Sequence, residues 1–190
     1  LIVAFGYSGG VVTTDLCKKI FKTQPEGECE IEVTGVNFGG PYLPSELYNY
    51  DPERFKYYGE PYAYDSIMRI IYMEVQTSEP TPDMFVSAFP KMDYDFAGHD
   101  IIFFDLLIGS CEPFEYTTVI NENMPYYICA AAFDYKGDVT PMWMSEPIDW
   151  RDVETRPIEE LIEKIDASEA TIQMLGIGAN GKVVPISPVR

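Results

Sequence analysis

Tyr126-Tyr127-Ile128-Cys129-Ala130-Ala131-Ala132-Phe133-Asp134 is apolar at even and odd positions alike. A strand with one wet face alternates apolar and polar residues, so a run apolar on both parities reads as a central strand covered on both faces. Its second half recurs elsewhere. Val3-Ala4-Phe5-Gly6-Tyr7-Ser8-Gly9-Gly10-Val11 aligns with Ala131-Ala132-Phe133-Asp134-Tyr135-Lys136-Gly137-Asp138-Val139, and a fainter copy is Leu175-Gly176-Ile177-Gly178-Ala179-Asn180-Gly181-Lys182-Val183. Each copy is an apolar strand, a short polar turn with glycine, and a Val-led strand. That is a β-hairpin whose glycine supplies positive φ. A hairpin repeated along a β-rich chain points to recurring sandwich modules.

Further strands lie around this centre. Glu30-Ile31-Glu32-Val33-Thr34-Gly35-Val36 alternates acid and apolar residues, while Ile67 to Val75 is bulky and β-branched. Met84 to Phe89 follows a break at Glu79-Pro80-Thr81-Pro82-Asp83, where proline keeps the connection out of the ladder. Strands are expected near 29–36, 67–77, 84–89, 115–120, 126–134 and 138–145. His99 to Leu107 is legal either as a short helix or as a strand. The clearer helix spans 157–165: Thr155 suits an N-cap and Pro157 the first turn, and Ile158, Leu161, Ile162 and Ile165 form one stripe. Residues 35–66 carry few regular signals and read as a long, partly ordered loop.

Composition narrows the function classes. The 190 residues carry 31 acidic and 13 basic side chains, a formal charge of −18, with 46% hydrophobic and 14% aromatic residues. Nucleic acids and anionic membranes require a basic face, so neither partner fits. A chain this apolar is not disordered, and it has no apolar run of about 18 residues with which to insert in a membrane. It opens inside a strand-like run, Leu1-Ile2-Val3-Ala4-Phe5, without an initiator Met, and so is expected to be a fragment or a processed chain. Residues 1–14 would then be a hairpin whose edge is completed by another segment, such as Thr171 to Val184, or by another chain. Cys17, Cys29, Cys111 and Cys129 lack zinc-site spacing. Pairings such as Cys17–Cys29 and Cys111–Cys129 remain open beside the simpler reading of Cys129 as a small buried hydrophobe.

Gly6-Tyr7-Ser8-Gly9-Gly10 matches the G-x-S-x-G nucleophile elbow, but Val11-Val12-Thr13-Thr14 favours a strand where the elbow needs a helix. His99 is the sole histidine and reads as a solvated loop or cap residue. Asp93, Asp95 and Asp100 lack the ligand alternation of a calcium loop. No catalytic residue, metal or cofactor is therefore expected. The aromatics are more informative: Tyr42, Tyr48, Tyr50, Phe55, Tyr57, Tyr58, Tyr62 and Tyr64 crowd one stretch, interleaved with Asp51, Glu53 and Glu60. Exposed tyrosines beside carboxylates suit a carbohydrate or protein ligand, with Tyr57, Tyr58, Tyr62, Tyr48 and Asp51 the candidate contacts. The competing reading is that these rings simply cover the open face of a sandwich.

Leu1 to Tyr7 with Val12-Thr13-Thr14 and Phe21-Lys22-Thr23 resembles the last two strands of fibronectin type III-like repeats in surface lipoproteins of Gram-negative gut bacteria. Pro125-Tyr126-Tyr127-Ile128-Cys129-Ala130-Ala131-Ala132-Phe133 to Thr140 resembles the same piece of the next repeat, with Ile70 to Val75 and Met84 to Pro90 as its earlier strand pair. The resemblance implies a mainly β chain with an immunoglobulin/fibronectin III-like antiparallel β-sandwich and a short C-terminal helix. Residues 1–24 would be the hairpin of a preceding repeat. Residues 25–148 would form one sandwich with a Tyr-rich insertion at 38–64, and 149–190 a helix plus hairpin extension. It also implies an exported protein, at the cell surface or in the periplasm, anchored outside this segment and acting as a non-enzymatic binding, adhesion or spacer module. The alternative is a glycan-acting hydrolase or accessory domain using paired carboxylates.

Overall fold

The computed structural model describes residues 2–4, 7–8, 11–12, 17–19, 29–108, 116–151 and 153–174. Near the N-terminus β2 (Tyr7–Ser8) pairs antiparallel with β3 (Val11–Val12), Ser8 opposite Val11. Outside this ladder β1 (Ile2–Ala4) pairs antiparallel with β4 (Cys17–Lys19). The expected association of this hairpin with Thr171 to Val184 lies outside the described residues in most of its length; Thr171 to Met174 belong to a helix, not a strand.

The rest of the described chain is mainly β, with substantial helix. It runs β5 (Val33–Tyr42), α1 (Pro44–Tyr50), two 3-10 turns (Lys56–Tyr58 and Tyr62–Tyr64), β6 (Met68–Thr77) and β7 (Asp83–Pro90). Then come α2 (Lys91–Ala97), α3 (His99–Ile108), β8 (Thr117–Asn121), β9 (Tyr126–Phe133), β10 (Trp143–Met144) and α4 (Ile158–Met174). Two three-stranded antiparallel sheets result, in the orders β5-β6-β8 and β10-β9-β7.

The two-residue period of a strand sends alternate side chains to opposite faces, and here both faces of each middle strand are covered. Ile71, Met73 and Val75 of β6 share a core with Val36, Ile120 and Trp150, and with Tyr126, Ile128 and Ala130 of β9. Ile70 and Tyr72 of β6 face the other way, into a core with Tyr42, Leu47, Phe55, Tyr58 and the α4 stripe Ile158, Leu161, Ile162 and Ile165. Cys129 and Ala131 of β9 likewise turn away from the shared core, onto Ile102 and Leu106 of α3. The apolar-on-both-parities run is thus a strand with no wet face.

Several boundaries differ from the sequence reading. The first strand of the β5-β6-β8 sheet is displaced to 33–42, and the helix expected over 157–165 extends to Met174. His99 to Ile108 takes the helical alternative. The supposed loop at 35–66 holds most of β5, α1 and both 3-10 turns; Pro44 occupies the first turn of α1, where its missing N–H costs nothing. The strand expected over 138–145 shrinks to β10, with isolated bridges at Phe133–Val139 and Tyr126–Ile148, because Pro141 and Pro147 lack the N–H a continuous ladder needs. Between Phe133 and Val139 the hairpin turn closes as expected, with Gly137 at φ +88°. Asp134 organises it: one carboxylate oxygen accepts the N–H groups of Lys136 (2.8 Å) and Asp138 (2.9 Å), the other that of Glu30 (3.3 Å).

Candidate functional site

The tyrosine-rich insertion between β5 and β6 has an inner and an outer side. Inside, Tyr42, Phe55 and Tyr58 are fully buried beneath α4. The Tyr58 hydroxyl hydrogen-bonds the Thr117 hydroxyl of β8 at 2.6 Å in a buried setting, which pins the insertion to the sheet. Arg54 extends the attachment to α4: its guanidinium lies 2.7 Å from the Asp166 carboxylate and stacks 4.9 Å above the Phe55 ring. Lys164 of α4 sits 4.8 Å over the Tyr72 ring of β6. The insertion is therefore a clamped platform.

The five residues singled out from the sequence divide accordingly. Tyr58 is 0% exposed, so its ring is a core group. Tyr57 is half-buried, edge-on to Tyr58 at 5.2 Å and 5.8 Å from the ring of Tyr62, which is also half-buried. Tyr48 lies half-buried on α1. Asp51 closes α1, its carboxylate accepting the N–H groups of Glu53 (3.2 Å) and Arg54 (3.0 Å), a local turn that holds the chain toward Phe55. Tyr57 and Tyr62 are thus brought together, while Asp51 serves the backbone.

On the same insertion an open surface concavity of about 540 Å³ is lined by Glu60, Pro61, Tyr64, Asp65 and Ser66. Tyr64 is 74% exposed there, and Glu60, Asp65 and Ser66 are exposed too. An apolar ring face flanked by carboxylates and a hydroxyl offers a stacking surface with hydrogen-bond acceptors at its edge. Tyr64 and Glu60 belong to the cluster visible in the sequence, but Pro61, Asp65 and Ser66 carried no such signal: residue type alone does not tell which side of a platform faces water.

His99 is exposed, its Nδ1 3.3 Å from the Tyr94 hydroxyl. Among the described residues no group of three His, Cys, Asp or Glu side chains is placed to hold a metal ion, and no helix is long and apolar enough to cross a membrane. Burial pushes the Cys129 thiol up to about 12, and Cys29 and Cys129 are both free thiols, so neither a Cys17–Cys29 nor a Cys111–Cys129 bond is formed. Burial works against the Asp134 charge, yet N–H groups of Asp138, Glu30, Lys136 and Gly137 together hold its carboxyl below the usual range. The chain matches no family model, no curated protein and no solved structure.

Proposed function

We propose that the chain is a non-catalytic binding module of an exported, surface-anchored bacterial protein, built as a fibronectin III-like sandwich. Its ligand, in this reading, is a glycan held at the outer rim of the tyrosine-rich insertion. Lettered by chain order as in an immunoglobulin-type sandwich, β5, β6 and β8 take the places of strands A, B and E, and β7, β9 and β10 those of C, F and G. A core shared by both sheets supports the same reading. So does Tyr126 at the start of β9: its hydroxyl accepts the Asn121 backbone N–H at 2.9 Å, the bond of a tyrosine corner. Fold alone does not assign an activity. The observation that carries the binding reading is the concavity at Glu60, Pro61, Tyr64, Asp65 and Ser66, set on a platform whose inner side is pinned by Tyr58 and Thr117.

A glycan array probed with the intact chain tests this. Retained glycans should be lost, or weakened about tenfold or more, in Tyr62→Ala with Tyr64→Ala, the loss typical when aromatic anchors of a binding site are truncated. The fold should be unchanged, because Tyr62 is half-buried and Tyr64 exposed. Undiminished retention by the double variant would remove the site. Release of reducing sugar from a retained glycan by the wild-type chain would overturn the non-catalytic reading in favour of a hydrolase.

A further inference from the structure

Among the described residues twelve large hydrophobic side chains are exposed, and five of them, Met92, Phe96, Ile101, Phe104 and Ile108, fall on α2 and α3. The concentration is not scatter. Met92 (66% exposed) and Phe96 (95%) are one turn apart on α2; Ile101 (54%), Phe104 (62%) and Ile108 (64%) follow i, i+3, i+7 spacing on α3. The opposite side of α3 is already committed, with Ile102 and Leu106 buried against Cys129 and Ala131 of β9. A helix apolar on two sides is one that expects a second cover. Gly98, at φ +84° with its N–H bonded to the Tyr94 carbonyl (2.9 Å), ends α2 and turns the chain directly into α3, so both stripes sit on one short helical corner.

The charges around these stripes decide what can cover them. Asp93, Asp95, Asp100 and Asp105 are all exposed on the same two helices. Against them stands one lysine, Lys91, already paired with Asp95. A second copy would bring like charges together in a chain of formal charge −18, and an anionic lipid surface would be repelled. Exposed apolar side chains interspersed with carboxylates along the same two helices are complementary to a segment that is apolar along one face and Lys/Arg-rich beside it. We propose that the outer face of α2 and α3 docks a cationic amphipathic protein segment. This surface is separate from the glycan rim: α2 and α3 pack on β7 and β9, whereas the insertion packs on the β5-β6-β8 sheet.

The probe is a fluorescent Leu/Lys amphipathic helix, titrated into the whole chain and followed by anisotropy. Because any acidic surface attracts such a peptide, the deciding variant leaves the charge untouched. Phe96→Ser with Phe104→Ser should weaken binding about tenfold or more, the loss typical of paired interface anchors. Asp100→Asn with Asp105→Asn should weaken it less and flatten its salt dependence. A Leu/Glu helix of the same pattern should not bind. Equal binding by wild type and the Phe96→Ser, Phe104→Ser variant would overturn the proposal. So would a wild-type dimer in sedimentation that this variant abolishes, or retention of the wild type on neutral phosphatidylcholine vesicles, which would assign the face to a second copy or to lipid. Amide chemical-shift mapping on the wild type guards against a variant that misfolds: shifts confined to residues 91–108 support the site, and shifts elsewhere overturn it.

Discussion

Two buried tyrosines in this molecule differ by one hydrogen bond, and that difference sets opposite signs for the same substitution. Tyr126 is 6% exposed and its hydroxyl satisfies the Asn121 N–H, tying the β8–β9 corner. Tyr42 is 0% exposed, and its hydroxyl meets no hydrogen-bond partner among the described residues. Removing one member of a buried pair strands the other, whereas removing an unsatisfied polar atom takes away a desolvation cost. Tyr126→Phe should therefore cost about 1–2 kcal/mol in urea unfolding at unchanged m. Tyr42→Phe should be neutral or stabilising. Reversed signs would mean that the Tyr42 hydroxyl is satisfied and the Tyr126 one is not.

At the scale of elements, α4 closes a core that the sheet alone leaves open. Leu161 is fully buried there among Tyr42, Leu47, Phe55 and Tyr58. Leu161→Ala should cost about 2–5 kcal/mol, the range for a core truncation that leaves a cavity. Hydrogen exchange should then speed up in residues 43–64 together with α4, and not in β7 or β9; acceleration of α4 alone would show that the two are not coupled. The stripe Ile158, Leu161, Ile162, Ile165 made α4 legible in the sequence, as two-parity apolarity did for β9, because each is a periodic signal matched to its own burial. α1 and the 3-10 turns were not legible: each is one or two turns long, and such pieces are held by tertiary packing rather than by pattern. The candidate site was half legible. Tyr42 and Tyr58 face the core and Tyr64 faces water, yet all three are tyrosines in one polar stretch. Only the position of α4 separates them.

For the whole molecule, pH should limit stability from both sides. Burial raises the thiol of Cys129 to about 12 and lifts the hydroxyls of Tyr42 and Tyr126 above their ordinary range. An acid whose native value is raised adds stability that is complete below its unfolded value and is lost as pH climbs toward the native one. For Cys129 that window runs from about pH 8.5 to about 12. Asp149, held at about 2 by hydrogen bonds from Arg151, works in the opposite sense. Its contribution is present above about pH 3.9 and fades as pH falls toward its native value; Asp134 follows the same direction. Urea midpoints should accordingly be flat through neutral pH and fall at both ends, and Cys129→Ala should make the alkaline limb shallower. An unaltered alkaline slope in that variant would show that the thiol is not what titrates. The clamp of α4 over the tyrosine insertion also has a consequence in time. Ribosomes deliver the aromatic inner face of residues 42–58 roughly 6–23 s before they finish α4 at Met174, at about 5–20 residues per second. Throughout that interval the nascent chain carries an uncovered tyrosine and phenylalanine cluster, whose cover comes from a helix still being translated.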